Sequence, residues 1–188
     1  MDRKNTPFPP SGVLFALYYI LVPVLQGVMG IPFVGSLLDS TALVYLGLGV
    51  VLILRRGGMG TAVFTFVAAL LQISPIIYFA GQLIRGALSL SSAFGLANSL
   101  CQTAAFVLLA LFAVEKTLAD GRFRIIGKAW LLPTLFAAIS LAFYSADIIT
   151  KALAAGGVNP VPLILATLPV VLIATAVSLT GAWYKRIS

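Results

Sequence analysis

Apolar residues fill this chain in six runs, each about as long as a membrane-crossing helix and each closed by turn-forming residues. The runs lie near 12–33, 38–54, 61–84, 91–114, 129–150 and 161–183. Ile31-Pro32 through Asp39, Arg55-Arg56-Gly57-Gly58 and Gly156-Gly157-Val158-Asn159-Pro160 make short connections, whereas Glu115 to Lys128 reads as a longer, charged loop. The pattern predicts an all-α integral membrane protein. Residues 1–188 would form one compact bundle of six transmembrane helices.

Polar residues interrupt the runs at steps of three and four, which places each set on one helix face. The first run carries Tyr19, Pro23, Gln26 and Gly30, and the second carries Thr41 and Tyr45. The third carries Gln72, Ser74-Pro75, Tyr78, Gln82 and Arg85, and the fourth Ser91, Gly95, Asn98 and Gln102. The fifth carries Ser140, Tyr144, Asp147 and Lys151. By contrast, Leu46 to Leu54 (LGLGVVLIL) and Ala104 to Val114 (AAFVLLALFAV) are almost wholly apolar.

Charge orients the pattern. With the N-terminus inside and six crossings, only Arg85 and Lys151 of the 12 basic residues fall outside, the bias expected of cytoplasmic loops. Both termini are then cytoplasmic, and the chain is placed in a plasma or bacterial inner membrane. In this orientation the polar stripes occupy the outer half of the bundle. The inner half is apolar. The first run follows Arg3 and Lys4, as a signal peptide would, but it is longer than a signal's apolar core and lacks a small-x-small cleavage site. It is expected to be retained.

Composition narrows the chemistry. Of the 188 residues, 61% are hydrophobic and 9% charged, against about a quarter charged in soluble domains, and the mean hydropathy is +1.10. The chain has no histidine and one cysteine, Cys101. Histidine-ligated haem, Cys/His zinc sites and Ser-His or Cys-His dyads are therefore excluded. The net charge of +7 reflects topology here, so no nucleic-acid partner is expected. Asp120-Gly121-Arg122-Phe123-Arg124 resembles the start of a lipid-headgroup transferase signature, but the further aspartates that would hold metals do not follow. Arg55-Arg56-Gly57-Gly58-Met59-Gly60 reads as a turn carrying topology signals as well as it reads as a phosphate cradle. No metal, cofactor or enzymatic activity is expected.

Polar groups within a bilayer face the bundle interior, one another or water. Two readings of the stripes follow. In one, Tyr19, Gln26, Gln72, Tyr78, Gln82, Arg85, Asn98, Gln102, Ser140, Tyr144 and Asp147 bind a ligand in an outer-facing cavity. Arg85, Asp147, Lys151 and Asp39 would rim that cavity in opposite-charge pairs. In the other, the stripes are interhelical glue, and Ser91, Gly95, Ser99 and Thr103 form a small-residue packing seam.

The expected function is capture of a neutral or zwitterionic solute from the outer face, by a transporter or its binding subunit. The lipid bilayer, the solute and other membrane subunits are the expected partners. In size and six-span layout the chain is similar to the substrate-binding components of energy-coupling-factor vitamin transporters. The small-residue pattern of their first helix is absent here. The alternative functions are a membrane subunit or assembly factor, and, last, an outer-leaflet lipid or quinone enzyme.

Overall fold

The structure is a computed structural model that describes residues 9–28, 40–55, 58–86, 89–118, 125–157 and 160–187. Every regular element among them is helical. In order these are α1 (Ser11–Val28), α2 (Ser40–Arg55), α3 (Met59–Leu71), α4 (Ile73–Ile84), α5 (Leu90–Leu118), a single turn α6 (Ile126–Ala129), α7 (Leu132–Ala154) and α8 (Pro160–Ile187). Four helical stretches are long and apolar enough to cross a membrane: Met59–Ile84, Leu90–Leu118, Leu132–Ala154 and Pro160–Ile187. The chain is thus all-helical, with the features of a multi-pass membrane protein. α1 and α2 are equally apolar but shorter. The 16 residues of α2 rise about 24 Å, against a hydrocarbon core of about 30 Å.

The helices close a ring. α1 packs on α2, α2 on α3, α3 on α5, α5 on α7, α7 on α8, and α8 returns to α1. α5 also touches α8 and α4, which makes it the central element. The core fills one end of this ring, where α1 begins and α2, α5 and α8 end. There Phe15, Leu48, Leu52, Leu109, Phe112, Val177 and Tyr184 are sealed from solvent. The apolar inner halves in the sequence become this packed end.

Charged groups finish the same end. The carboxylate of Glu115, in the last turns of α5, accepts the backbone N–H groups of Ile125 and Ile126 at 2.7 and 3.0 Å. It thereby caps the start of α6, where unpaired donors and the helix dipole favour a negative charge. Next to it, the Lys116 ammonium donates to the carbonyl of Ile187 at the end of α8. The loop expected from Glu115 therefore starts later: Glu115, Lys116 and Leu118 are good helix formers and carry α5 to Leu118. The 120–124 motif lies outside the described residues. Glu115→Ala is expected to lower stability by about 1–2 kcal/mol, the usual loss for a charged cap, with Glu115→Gln recovering part of it. Thermal unfolding in detergent would measure this.

The third apolar run is not one straight helix. Pro75 has no N–H for the carbonyl of Leu71, and its ring crowds that carbonyl. The helix breaks at Gln72, whose own N–H turns back to the Ala69 carbonyl at 3.1 Å. Beyond the break α4 buries none of its residues fully and takes its packing from α5, where the Phe79 ring covers Gly95. A Cβ on Gly95 would sit 2.5 Å from that ring, so the approach needs glycine.

Candidate functional site

Opposite the packed end the ring stays open. A cavity of about 370 Å³ lies between the long helices. α1 contributes Tyr18, Val22 and Leu25, and α2 contributes Thr41 and Tyr45, each set at helical spacing toward the ring interior. The break between α3 and α4 places Gln72 in the wall, α5 adds Asn98 and Gln102, and α7 adds Tyr144. α8 supplies Leu165, Ala166, Pro169, Val170 and Ile173. Among the described residues no charged side chain lines the cavity.

Its floor is aromatic. The Tyr45 ring stacks on Phe106 with centroids 5.5 Å apart, and Tyr18 meets Tyr45 edge-on at 5.0 Å. Phe15 lies 5.9 Å from Tyr45, which joins the floor to the packed core. Offset and edge-to-face contacts of this kind stabilise beyond the area they bury.

The polar wall is only partly satisfied by protein. The Ser140 hydroxyl donates to Asn98 Oδ1 at 2.6 Å, fixing the Asn98 side chain from behind and directing its amide nitrogen away from that bond. The amides of Gln72 and Gln102 have no hydrogen-bond partner among the described residues, although both line the cavity. Such groups are costly in an apolar setting unless water or a ligand meets them. A separate niche of about 10 Å³, roughly one water, lies beside the cavity, sharing Gln102, Val170 and Ile173 with it and reaching Ser140 and Phe106.

α8 supplies backbone acceptors. Pro169 cannot donate to the Leu165 carbonyl, and its ring pushes that carbonyl outward. One residue on, the Ala166 carbonyl accepts the Tyr144 hydroxyl at 3.3 Å. Pro23 interrupts α1 in the same way and is buried beside Val22.

Of the residues singled out from the sequence, Gln72, Asn98, Gln102 and Tyr144 come together in this cavity. Ser140 stands behind Asn98 and borders the niche. Tyr19 is half-buried on α1 but does not line the cavity; its neighbour Tyr18 does. On α4, Tyr78 is exposed with its ring against Phe79, Gln82 is half-buried, and Arg85 is exposed at the helix end. The Gln26 side chain and Asp39 lie outside the described residues.

Asp147 is buried and accepts two hydrogen bonds, from Ser91 and from the Lys151 ammonium one turn further on, the latter at 2.7 Å. It forms no pair with Arg85, so the rim of opposite charges expected there reduces to an ion pair within α7. The (i, i+4) partner needs only a rotamer choice, whereas Arg85 sits exposed at the end of α4, a different helix that packs mainly on α5. Sequence reasoning missed Tyr18 and Pro169. A phase taken from Phe15, Val22 and Leu25 would have found the first. The donor loss already noted at Pro23 and Pro75 applies equally to the second.

Comparison with known protein families, with characterised proteins and with solved structures found no match.

Proposed function

We propose that this protein crosses the cell membrane six times, with both termini cytoplasmic, and captures a small solute from the outer face. It would act as a transporter or as the binding subunit of one. One observation carries the reading: the Gln72 and Gln102 amides open onto a cavity without protein partners among the described residues. The cavity volume falls in the range that takes a drug-sized ligand, and an apolar lining with a few convergent polar groups is the usual form of such a site. The orientation rests on the basic loops, which put the packed end toward the cytosol and the cavity toward the outside.

The test is a thermal-shift screen of the purified protein in detergent against nucleobases, nucleosides, vitamins and amino acids. A saturable rise in unfolding temperature is expected with one compound class. Gln102→Leu should weaken that compound at least tenfold, whereas Thr175→Ala, on the exposed face of α8, should leave it unchanged. Stabilisation untouched by Gln102→Leu would refute the site.

A second reading draws on α4. Among the described residues, Ile77, Tyr78 and Ile84 are exposed on a helix that packs mainly on α5, as suits a membrane subunit that contacts another membrane protein. Co-purification of a partner, lost on substitution of Ile77 and Tyr78, with no ligand shift in the screen, would favour it.

A further inference from the structure

We infer that the ligand is an uncharged, flat ring compound with hydrogen-bond donors and acceptors along its edge, and that amino acids and other charged solutes are rejected. This narrows the proposed capture function and rests on that reading of the cavity.

Charge is the first discriminator. Among the described residues the lining has no acidic or basic side chain. The nearest carboxylate on the wall helices, Asp147, stands one turn beyond Tyr144 and is already engaged by Ser91 and Lys151. Glu115 and Lys116 are bound to backbone at the opposite end. An ammonium or carboxylate entering the cavity would lose its water and find no counter-charge, a far larger cost than burying a neutral amide. A zwitterion meets that cost at both ends.

The neutral groups present define the second discriminator. A primary amide offers a donor and an acceptor side by side, which pairs in two-point fashion with a neighbouring N–H and C=O, or N and NH₂, on a ring edge. Gln72 and Gln102 both offer this and are uncommitted among the described residues. The Asn98 amide nitrogen adds a donor, because its oxygen is taken by Ser140.

Shape is the third. Tyr18 and Tyr45, packed edge to face, form an aromatic floor, and Val22 and Leu25 of α1 with Leu165, Val170 and Ile173 of α8 give one side an aliphatic lining. A ring has two apolar faces and a polar edge, which matches this division. A sugar carries hydroxyls on every side, and the aliphatic side chains of α1 and α8 leave most of those on that side unpaired, with only the freed Leu165 carbonyl to accept one.

Matched pairs test the inference: nicotinamide against nicotinate and uracil against orotate, together with adenine, phenylalanine and glucose. Binding is read by thermal shift and by protection of a reporter, Val22→Cys in a Cys101→Ser background, from aqueous N-ethylmaleimide. The expected result is saturable protection by at least one uncharged ring compound, with its charged counterpart at least tenfold weaker and phenylalanine and glucose inactive. Protection by nicotinate, orotate, phenylalanine or glucose at equal or higher affinity overturns the inference and leaves the capture reading standing. So does a reporter that labels readily and is protected by none of the uncharged rings. A reporter inert to the reagent, together with no thermal shift from any compound in the set, means that nothing enters the cavity, and then both readings fail.

Discussion

Gly49→Leu is expected to separate α1 from α2 and to cost about 3 kcal/mol or more, at the upper end for overpacking. The two helices meet backbone to backbone. A Cβ on Gly49 would lie 2.6 Å from the Gly12 carbonyl oxygen and 2.8 Å from the Ala16 nitrogen, well inside ordinary van der Waals contact. Neither atom is the end of a flexible side chain, so the collision is relieved only by moving one helix. That movement would also loosen Phe15, Leu48 and Leu52, which seal the packed end around the contact. Thermal unfolding and gel filtration in detergent would show a lower transition and a broadened peak, with Gly49→Ala intermediate. A Gly49→Leu protein as stable as the parent would show that α1 and α2 do not approach this closely.

The position of every long helix was legible in the sequence, because apolar runs closed by turn formers determine where backbone must be helical. The ends were less so. Hydropathy stops at Glu115, whereas the helix runs to Leu118 because Glu and Lys lose little rotamer freedom in a helix and find backbone partners in α6 and α8. The stripe on α5 gave Asn98 and Gln102 correctly as neighbours in one wall, since two polar residues four apart leave little doubt about phase. On α1 the polar residues misled. Tyr19 shares a stripe with Pro23, but the face turned inward belongs to Phe15, Tyr18, Val22 and Leu25, chosen by aromatic packing against α2. Long-range pairing was the least legible. Asp147 had Arg85 and Lys151 as candidate partners, and only the tertiary arrangement of α4 decided between them.

The two ends of the bundle use opposite backbone devices. At the packed end Gly12 and Gly49 remove side chains so that helices touch. At the open end Pro23, Pro75 and Pro169 remove donors from three different helices near one level, where the wall also gathers its amides. Each proline leaves the carbonyl four residues earlier without its helical donor, and of those three carbonyls the Leu165 one belongs to a residue that lines the cavity.

Phe106 holds the boundary between those two halves, and Phe106→Ala is expected to cost about 3–5 kcal/mol, the range for truncating a buried aromatic. The ring is 1% exposed, stacks under Tyr45 at 5.5 Å and lies 6.5 Å from Phe15. It also borders the small niche beside Gln102 and Ser140. Its removal would drop the support of the cavity floor and join the niche to the space above. On the side away from Gln102 and Ser140 the new volume is bounded by Ala105, Ala137, Val177 and the remaining aromatics, which suits an apolar guest. Benzene is therefore expected to restore part of the stability lost in Phe106→Ala. A loss below about 1 kcal/mol would mean that the rings of Tyr45, Phe15 and Phe106 do not form a continuous floor, because a buried aromatic in such a stack cannot be truncated so cheaply.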